Sequence, residues 1–286
     1  MSDAQPTSPP HLVSTEWLGQ RLGQPGLVII DGSWYLPAQN RNGRQEYLDG
    51  HIPGAVFFDL DATSAQDTPL PHMMPTPIAF ASAMRKLGVS ESAQIVVYDG
   101  MGLFSAPRLW WMLRAFGARD VAILDGGLPK WKAEDRPLED GETIRAPAHF
   151  NARLDHGVIA SMTDVQKALG ENSAQVLDAR PAERFRGEVA EPRPGLRMGH
   201  MPGAKSVPFG ALLESGRLKP APELVKALEA MGVDPQKPII TSCGSGVSAA
   251  IVTLALAVAG RPQGALYDGS WAEWGLPDGP PVATGA

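Results

Sequence analysis

Along the chain, short apolar runs of strand length alternate with longer segments whose apolar residues recur at helical spacing. This alternation predicts an α/β fold built on mainly parallel sheets with helices on both faces. Ser14 or Thr15 is placed to cap a short helix reaching Leu22, and Leu27 to Ile30 reads as a strand ending at Asp31. The same order returns about 147 residues later: Met162-Thr163-Asp164-Val165 echoes Thr15-Glu16-Trp17-Leu18, and Val176-Leu177-Asp178 echoes Ile29-Ile30-Asp31. His51-Ile52-Pro53-Gly54-Ala55 comes back as His200-Met201-Pro202-Gly203-Ala204, and Ile95-Val96-Val97-Tyr98 as Ile239-Ile240-Thr241-Ser242. Leu124-Asp125-Gly126-Gly127 with Trp131 matches Tyr267-Asp268-Gly269-Ser270 with Trp274. A period this long means a duplicated domain and not a solenoid. The expected domains are residues 11–137 and 157–283, joined by a linker over 138–156 where charge, Pro and Gly replace apolar periodicity.

The longest apolar segment, Ala249 to Ala259, is too short to cross a bilayer and reads as a core helix. Before it come a strand, Ile239-Ile240-Thr241, and a loop of small residues, Cys243-Gly244-Ser245-Gly246-Val247-Ser248. Open parallel sheets bind ligands beyond the carboxyl ends of their strands, and Cys243, the only cysteine of the chain, stands at such an end. Free cysteines are most often small buried hydrophobes. This loop, however, leaves no bulk above the sulfur and can turn several amides inward, and the following helix N-terminus also favours a thiolate. In the first copy the same position is Asp99, followed by Gly100-Met101-Gly102-Leu103. Aspartate is no sulfur nucleophile, so only the second copy is expected to be active.

Arg180, Arg184, Arg186, Arg193 and Arg197 follow the strand ending at Asp178, on the side of the sheet where the cysteine loop emerges. Two of them are expected to clamp a small carboxylate substrate, since the guanidinium fork matches that group. In the first copy, Asp59 and Asp61 precede, and His72 lies within, a Pro-rich passage, Thr68 to Pro77, with no counterpart in the second copy. Such a passage is expected to reach across and cover the active loop. His51 and His200 read as turn residues, and Trp110, Trp111, Trp271 and Trp274 as core or interface aromatics.

Composition narrows the classes further. The chain of 286 residues is 43% hydrophobic, enough for two cores, and a net charge of −6 leaves no basic footprint for nucleic acid or an anionic membrane. One cysteine forms no intrachain disulfide, and the six histidines lack metal-ligand spacing, so no metal site is expected. The opening MSDAQPTSPP has neither a secretory signal nor a transit-peptide pattern and is expected to be a loose tail. The expected setting is cytoplasmic.

The tandem copies, the His-x-Pro-Gly-Ala turns, the Asp-Gly-Gly/Ser-x-x-x-Trp segments and the Cys-Gly-Ser-Gly-Val-Ser loop together resemble the two-domain rhodanese-type sulfurtransferases, from about Val13 to Gly275. Within that family the loop is similar to the branch acting on 3-mercaptopyruvate, because Gly244 and Ser245 stand where thiosulfate-using members carry basic residues. Ser248 replaces that branch's usual threonine and keeps the hydroxyl. The resemblance implies two rhodanese-like domains, with Cys243 as the persulfide-forming nucleophile and Ser245, His72 and Asp61 as a proton relay. It also implies Arg184 and Arg193 as ligands of the substrate carboxylate and keto group, within a pocket formed by Gly244, Gly246, Val247 and Ser248. The implied reaction yields pyruvate, passes sulfur to a small thiol, a thioredoxin-like protein or cyanide, and uses no cofactor. Three other readings compete: a thiosulfate sulfurtransferase, a sulfur carrier, and a cysteine phosphatase. The last needs an arginine six residues after the cysteine, where this chain has Ala249.

Overall fold

The structure, a computed structural model, describes residues 10–261 and 264–285; the expected N-terminal tail lies outside the described residues for positions 1–9. The first copy forms a five-stranded sheet from β1 (Leu12–Val13), β2 (Leu27–Asp31), β3 (Ala55–Phe57), β4 (Gln94–Tyr98) and β5 (Val121–Leu124). The second forms another from β6 (Ile159–Ala160), β7 (Gln175–Asp178), β8 (Lys205–Ser206), β11 (Ile239–Ser242) and β12 (Ala265–Tyr267). A two-stranded hairpin, β9 (Leu213–Glu214) and β10 (Arg217–Leu218), interrupts the second copy. Strand order is β1-β5-β4-β2-β3 in one sheet and β6-β12-β11-β7-β8 in the other, the same permutation twice. Every pairing within the two large sheets is parallel. The chain is thus α/β, with the same parallel sheet built twice.

Helices α1 (Thr15–Gly19), α2 (Gly43–Asp49), α3 (Leu60–Thr63), α4 (Pro77–Lys86), α5 (Ala106–Ala115) and α6 (Gly127–Ala133) belong to the first copy. The second carries α7 (Met162–Glu171), α8 (Ala182–Phe185), α9 (Ala221–Ala230), α10 (Ala249–Val258) and α11 (Ser270–Trp274). Ser14 caps α1 by accepting from Trp17 N–H, but the helix stops at Gly19 and not at Leu22, because glycine is a poor helix former and turns follow at once.

Strand residues alternate between two apolar faces. Val28, Ile30, Ile95 and Val97 point to one side of the first sheet, and Leu27, Ile29, Val96 and Tyr98 to the other. The inner faces of both sheets merge into one core through α5 and α10, which pack on each other across the domain boundary. Wedged between its own sheet and α5, α10 buries every residue from Ala249 to Leu256, which explains a helix apolar on all sides. No helix among the described residues is long and apolar enough to cross a membrane.

The segment 138–155 contains no helix, yet it is tied along the first domain. Phe150 is fully buried, edge-on to Phe80 at 5.6 Å, and its carbonyl accepts from Arg85. Arg153 and Asp155 N–H donate to the carbonyls of Phe116 and Ala115. Phe150→Ala should therefore lower unfolding stability by about 3–5 kcal/mol in a denaturant titration, the usual cost of an emptied aromatic site. A change under 1 kcal/mol would mean that the segment is a loose tether.

Candidate active site

Two central strands end in the same kind of loop, and their occupants differ. After β4, the carboxylate of Asp99 sits inside its own loop. Its Oδ1 accepts from Met101 N–H at 2.8 Å, and its Oδ2 from Phe104, Ser105 and Ala106 N–H at 2.7, 2.9 and 2.9 Å. The loop is therefore an anion cradle made of backbone. After β11 the cradle holds Cys243, 1% exposed, whose N–H donates to Ser270 Oγ at 3.2 Å. The N–H groups of residues 244–248 have no acceptor among the described residues and remain available to negative charge on the sulfur or on a substrate.

Glycine is required here twice. A Cβ on Gly244 would lie 3.2 Å from Arg184 Nη2 and 4.0 Å from Arg193 Nη1, so this residue lets both guanidinium groups stand over the loop. Gly246 has φ +79°, in the left-handed region. Val247 turns its side chain into the shared core, and Ser248 starts α10 without a side-chain cap bond.

Of the five arginines, three are occupied elsewhere. Arg180 is fully buried, bonded to both Asp178 oxygens, to Glu191 Oε1 at 2.8 Å and to the Gly199 carbonyl, with its guanidinium 4.1 Å above the Trp271 ring. Arg186 pairs with exposed Glu188, and Arg197 bonds the carbonyls of Trp274 and Pro280. Arg184 and Arg193 remain over the cysteine. Arg184 is steadied by Glu191, to which its Nε donates at 3.2 Å. Burial pushes the Arg193 guanidinium below its usual range; negative charge on Cys243 beside it pulls the other way, and Arg184 adds to the push. Arg193 has no carboxylate partner among the described residues.

From the first domain, His72 reaches into this loop. Its Nδ1 lies 2.9 Å from Ser245 Oγ and its Nε2 3.1 Å from Asp61 Oδ1, although 173 residues separate histidine and serine. The His72 hydrogen bond holds the Asp61 carboxyl below the usual carboxylate range against the opposing effect of burial, with Trp34 helping. An ionised Asp61 fixes Nε2 as the donor, which leaves Nδ1 to accept the Ser245 proton. Trp34 Nε1 donates to the other Asp61 oxygen at 2.9 Å and its ring stands edge-on to His72 at 4.6 Å. Asp59, by contrast, only caps α3. Cys243, Ser245, His72, Asp61, Arg184 and Arg193 thus meet around one loop. No group of three His, Cys, Asp or Glu among the described residues is placed to hold a metal.

A rhodanese-like domain profile matches residues 14–134 and again 161–276. The chain belongs to the rhodanese family. Over 264 residues it is 52% identical to the 3-mercaptopyruvate sulfurtransferase of Escherichia coli K12, spanning 92% of this chain and 94% of that protein. The Rattus norvegicus 3-mercaptopyruvate sulfurtransferase is 43% identical over 270 residues, 92% of this chain and 91% of that protein. The crystal structure of SseA from Escherichia coli matches with a TM-score of 0.85 at 50% identity, covering 91% of this chain and 98% of that one.

In this rhodanese pair the first domain keeps a filled version of the site. Arg41, paired with Glu46, donates to the Gly100 carbonyl at 3.4 Å much as Arg184 leans over Gly244, and the Tyr35 hydroxyl takes the space beside Gly100. The Pro-rich passage also has a partner after all: the β9–β10 hairpin of the second domain lies against the Asp99 loop, with Gly216 close to Gly102 and Arg217 Nε on Asp125 Oδ2 at 2.8 Å. Sequence comparison missed the relation because the two covers share a position in space and no residue pattern. His51 and His200 are buried, each bonding a backbone carbonyl and bridging to a distant strand-like residue, so both hold the fold. Glu191 and Trp34 escaped notice as well; only the acidic neighbour in Glu-Pro-Arg-Pro hinted at the first.

A cationic rim selects anions. Cys243 should react faster with iodoacetate than with neutral iodoacetamide, relative to a free thiol, and Arg193→Ala should cut that preference about tenfold, as expected for a charge-lined cleft. An unchanged ratio would place Arg193 away from the approach path.

Proposed function

We propose that the protein is a 3-mercaptopyruvate sulfurtransferase working through a Cys243 persulfide. The observation that carries this reading is the Ser245–His72–Asp61 chain arriving beside the thiol. Sulfur taken from thiosulfate leaves sulfite, which needs no proton. Sulfur taken from 3-mercaptopyruvate leaves a carbanionic pyruvate enolate, which does.

The reaction follows from the placed groups. Arg184 and Arg193 bind the carboxylate and keto oxygen, orienting the substrate sulfur toward Cys243. The thiolate attacks that sulfur, an S–S bond forms, the C–S bond breaks, and its electron pair passes to the methylene carbon as the enolate. The unpartnered loop amides and the arginine pair stabilise the charge as it moves. The substrate thiol passes its proton to Ser245 as the Ser245 proton moves to His72 Nδ1, whose Nε2–H Asp61 holds; once the C–S bond has broken, the proton returns from Nδ1 through Ser245 to the enolate carbon, leaving the persulfide anion on Cys243. Pyruvate departs, and a second substrate, a small thiol, a thioredoxin-like protein or cyanide, removes the outer sulfur from Cys243. This is a two-stage covalent cycle with ping-pong kinetics. A lone free thiol suits a reducing cytoplasmic setting.

The deciding test is intact-protein mass spectrometry after exposure to 3-mercaptopyruvate or thiosulfate without reductant. Gain of one sulfur atom, faster from mercaptopyruvate and absent in Cys243→Ser, is the expected result. Faster loading from thiosulfate would move the protein to the other branch, and no loading from either would leave only a carrier role. Arg193→Ala should raise KM for mercaptopyruvate about 10- to 100-fold, the worth of a charge-assisted hydrogen bond, while barely touching a sulfur donor that lacks a carboxylate. Equal effects on both donors would make Arg193 structural.

A further inference from the structure

We propose that Arg108 and Asp268 are positioning residues, a buried interdomain latch that sets His72 against Ser245 and thereby couples the domain interface to proton delivery. The proposal rests on the relay role given to His72 above. Arg108 lies on α5 of the first domain and is fully buried. Its Nη2 donates to the His72 carbonyl at 2.5 Å and to Asp268 Oδ1 at 2.7 Å, and its Nη1 reaches the Gly246 carbonyl at 3.4 Å. Asp268, in the second domain and 3% exposed, takes Met74 N–H on its other oxygen at 2.6 Å. One arginine and one aspartate from opposite domains thus grip the backbone on both sides of His72, and the arginine touches the cysteine loop as well. The Trp111 ring closes the pair from below, 4.7 Å from the guanidinium.

The grip has work to do at His72. Its φ is +61°, a left-handed conformation uncommon outside glycine, which the contacts on its own carbonyl and on Met74 N–H hold in place. That conformation places the ring between Ser245 and Asp61. The histidine side chain therefore depends on contacts made by its own carbonyl and by the N–H two residues on. Asp61 and Trp34 aim the ring from the solvent side, whereas the latch sets where the ring starts. Asp268→Asn leaves Arg108 without a counter-charge and turns one acceptor into a donor facing Met74 N–H or Arg108. Arg108→Lys keeps the charge but loses the fork that spans three acceptors.

The test compares single-turnover persulfide loading from saturating 3-mercaptopyruvate with loading from saturating thiosulfate, in wild type, Asp268→Asn, Arg108→Lys, His72→Asn and the Asp268→Asn/His72→Asn double variant. His72→Asn should slow mercaptopyruvate loading at least 100-fold, as removal of a proton-transfer group does, and leave thiosulfate loading within threefold. Asp268→Asn and Arg108→Lys should each slow mercaptopyruvate loading tenfold or more with the same selectivity. In the double variant, Asp268→Asn should add nothing to His72→Asn, because both act on one step. Equal slowing with both donors would make the latch a support of the cysteine loop and overturn the proposal, as would full additivity or unchanged loading in the folded single variants. Unselective slowing in His72→Asn would overturn the relay itself, and the latch with it; selective slowing there without it in the latch variants would overturn the latch alone.

Discussion

A parallel strand that ends at the centre of a sheet and feeds a helix leaves a ring of backbone N–H groups with no internal acceptor, and the whole molecule is arranged around what fills that ring. In the first domain Asp99 fills it with a carboxylate bonded to four amides. In the second, the same backbone path surrounds Cys243. Identical sheet topology therefore yields a self-satisfied loop in one half and an electrophile-seeking thiol in the other, by exchange of one residue type at the strand end.

The shared core makes the two halves a single working unit. α5 and α10 pack face to face, which brings each domain's strand-end loop under a cover supplied by the other: the His72 passage over Cys243, and the β9–β10 hairpin over Asp99. Each cover is fastened by an arginine on a repeated aspartate, Arg108 to Asp268 and Arg217 to Asp125. The two fastenings differ in environment. Arg108 and Asp268 are withdrawn from water, where loss of one partner leaves a buried charge uncompensated, whereas Arg217 is half exposed and its pair is screened.

Charge pairing also sorts the arginine-rich passage into residues bound within the fold and residues left over the cysteine loop. Arg180 lies between Asp178, Glu191 and the Trp271 ring, holding the passage to the sheet. Glu191 then extends the same carboxylate to Arg184, so one acidic residue links the buried scaffold to the pocket. Arg193, half buried near the thiol with no carboxylate of its own, carries a desolvated charge that a substrate carboxylate would compensate.

The sequence by itself determined the duplication, the parallel α/β class, which half carries cysteine and which aspartate at the strand end, and the cysteine loop, because each is written in local chemistry: apolar period, small residues and one residue type at a strand end. It also singled out His72 and Asp61 through their family resemblance. Tertiary structure alone decided which two of five arginines are free to meet a ligand, since Arg180, Arg186 and Arg197 are claimed by partners 2 to 83 residues away that no spacing rule identifies. It alone paired the Pro-rich passage with the β9–β10 hairpin, two covers with no sequence in common. And it alone brought Arg108 of one domain onto Asp268 and the His72 carbonyl, because a hydrogen bond to backbone leaves no signature in residue identity and a contact across 160 residues exists only once both domains have folded against each other.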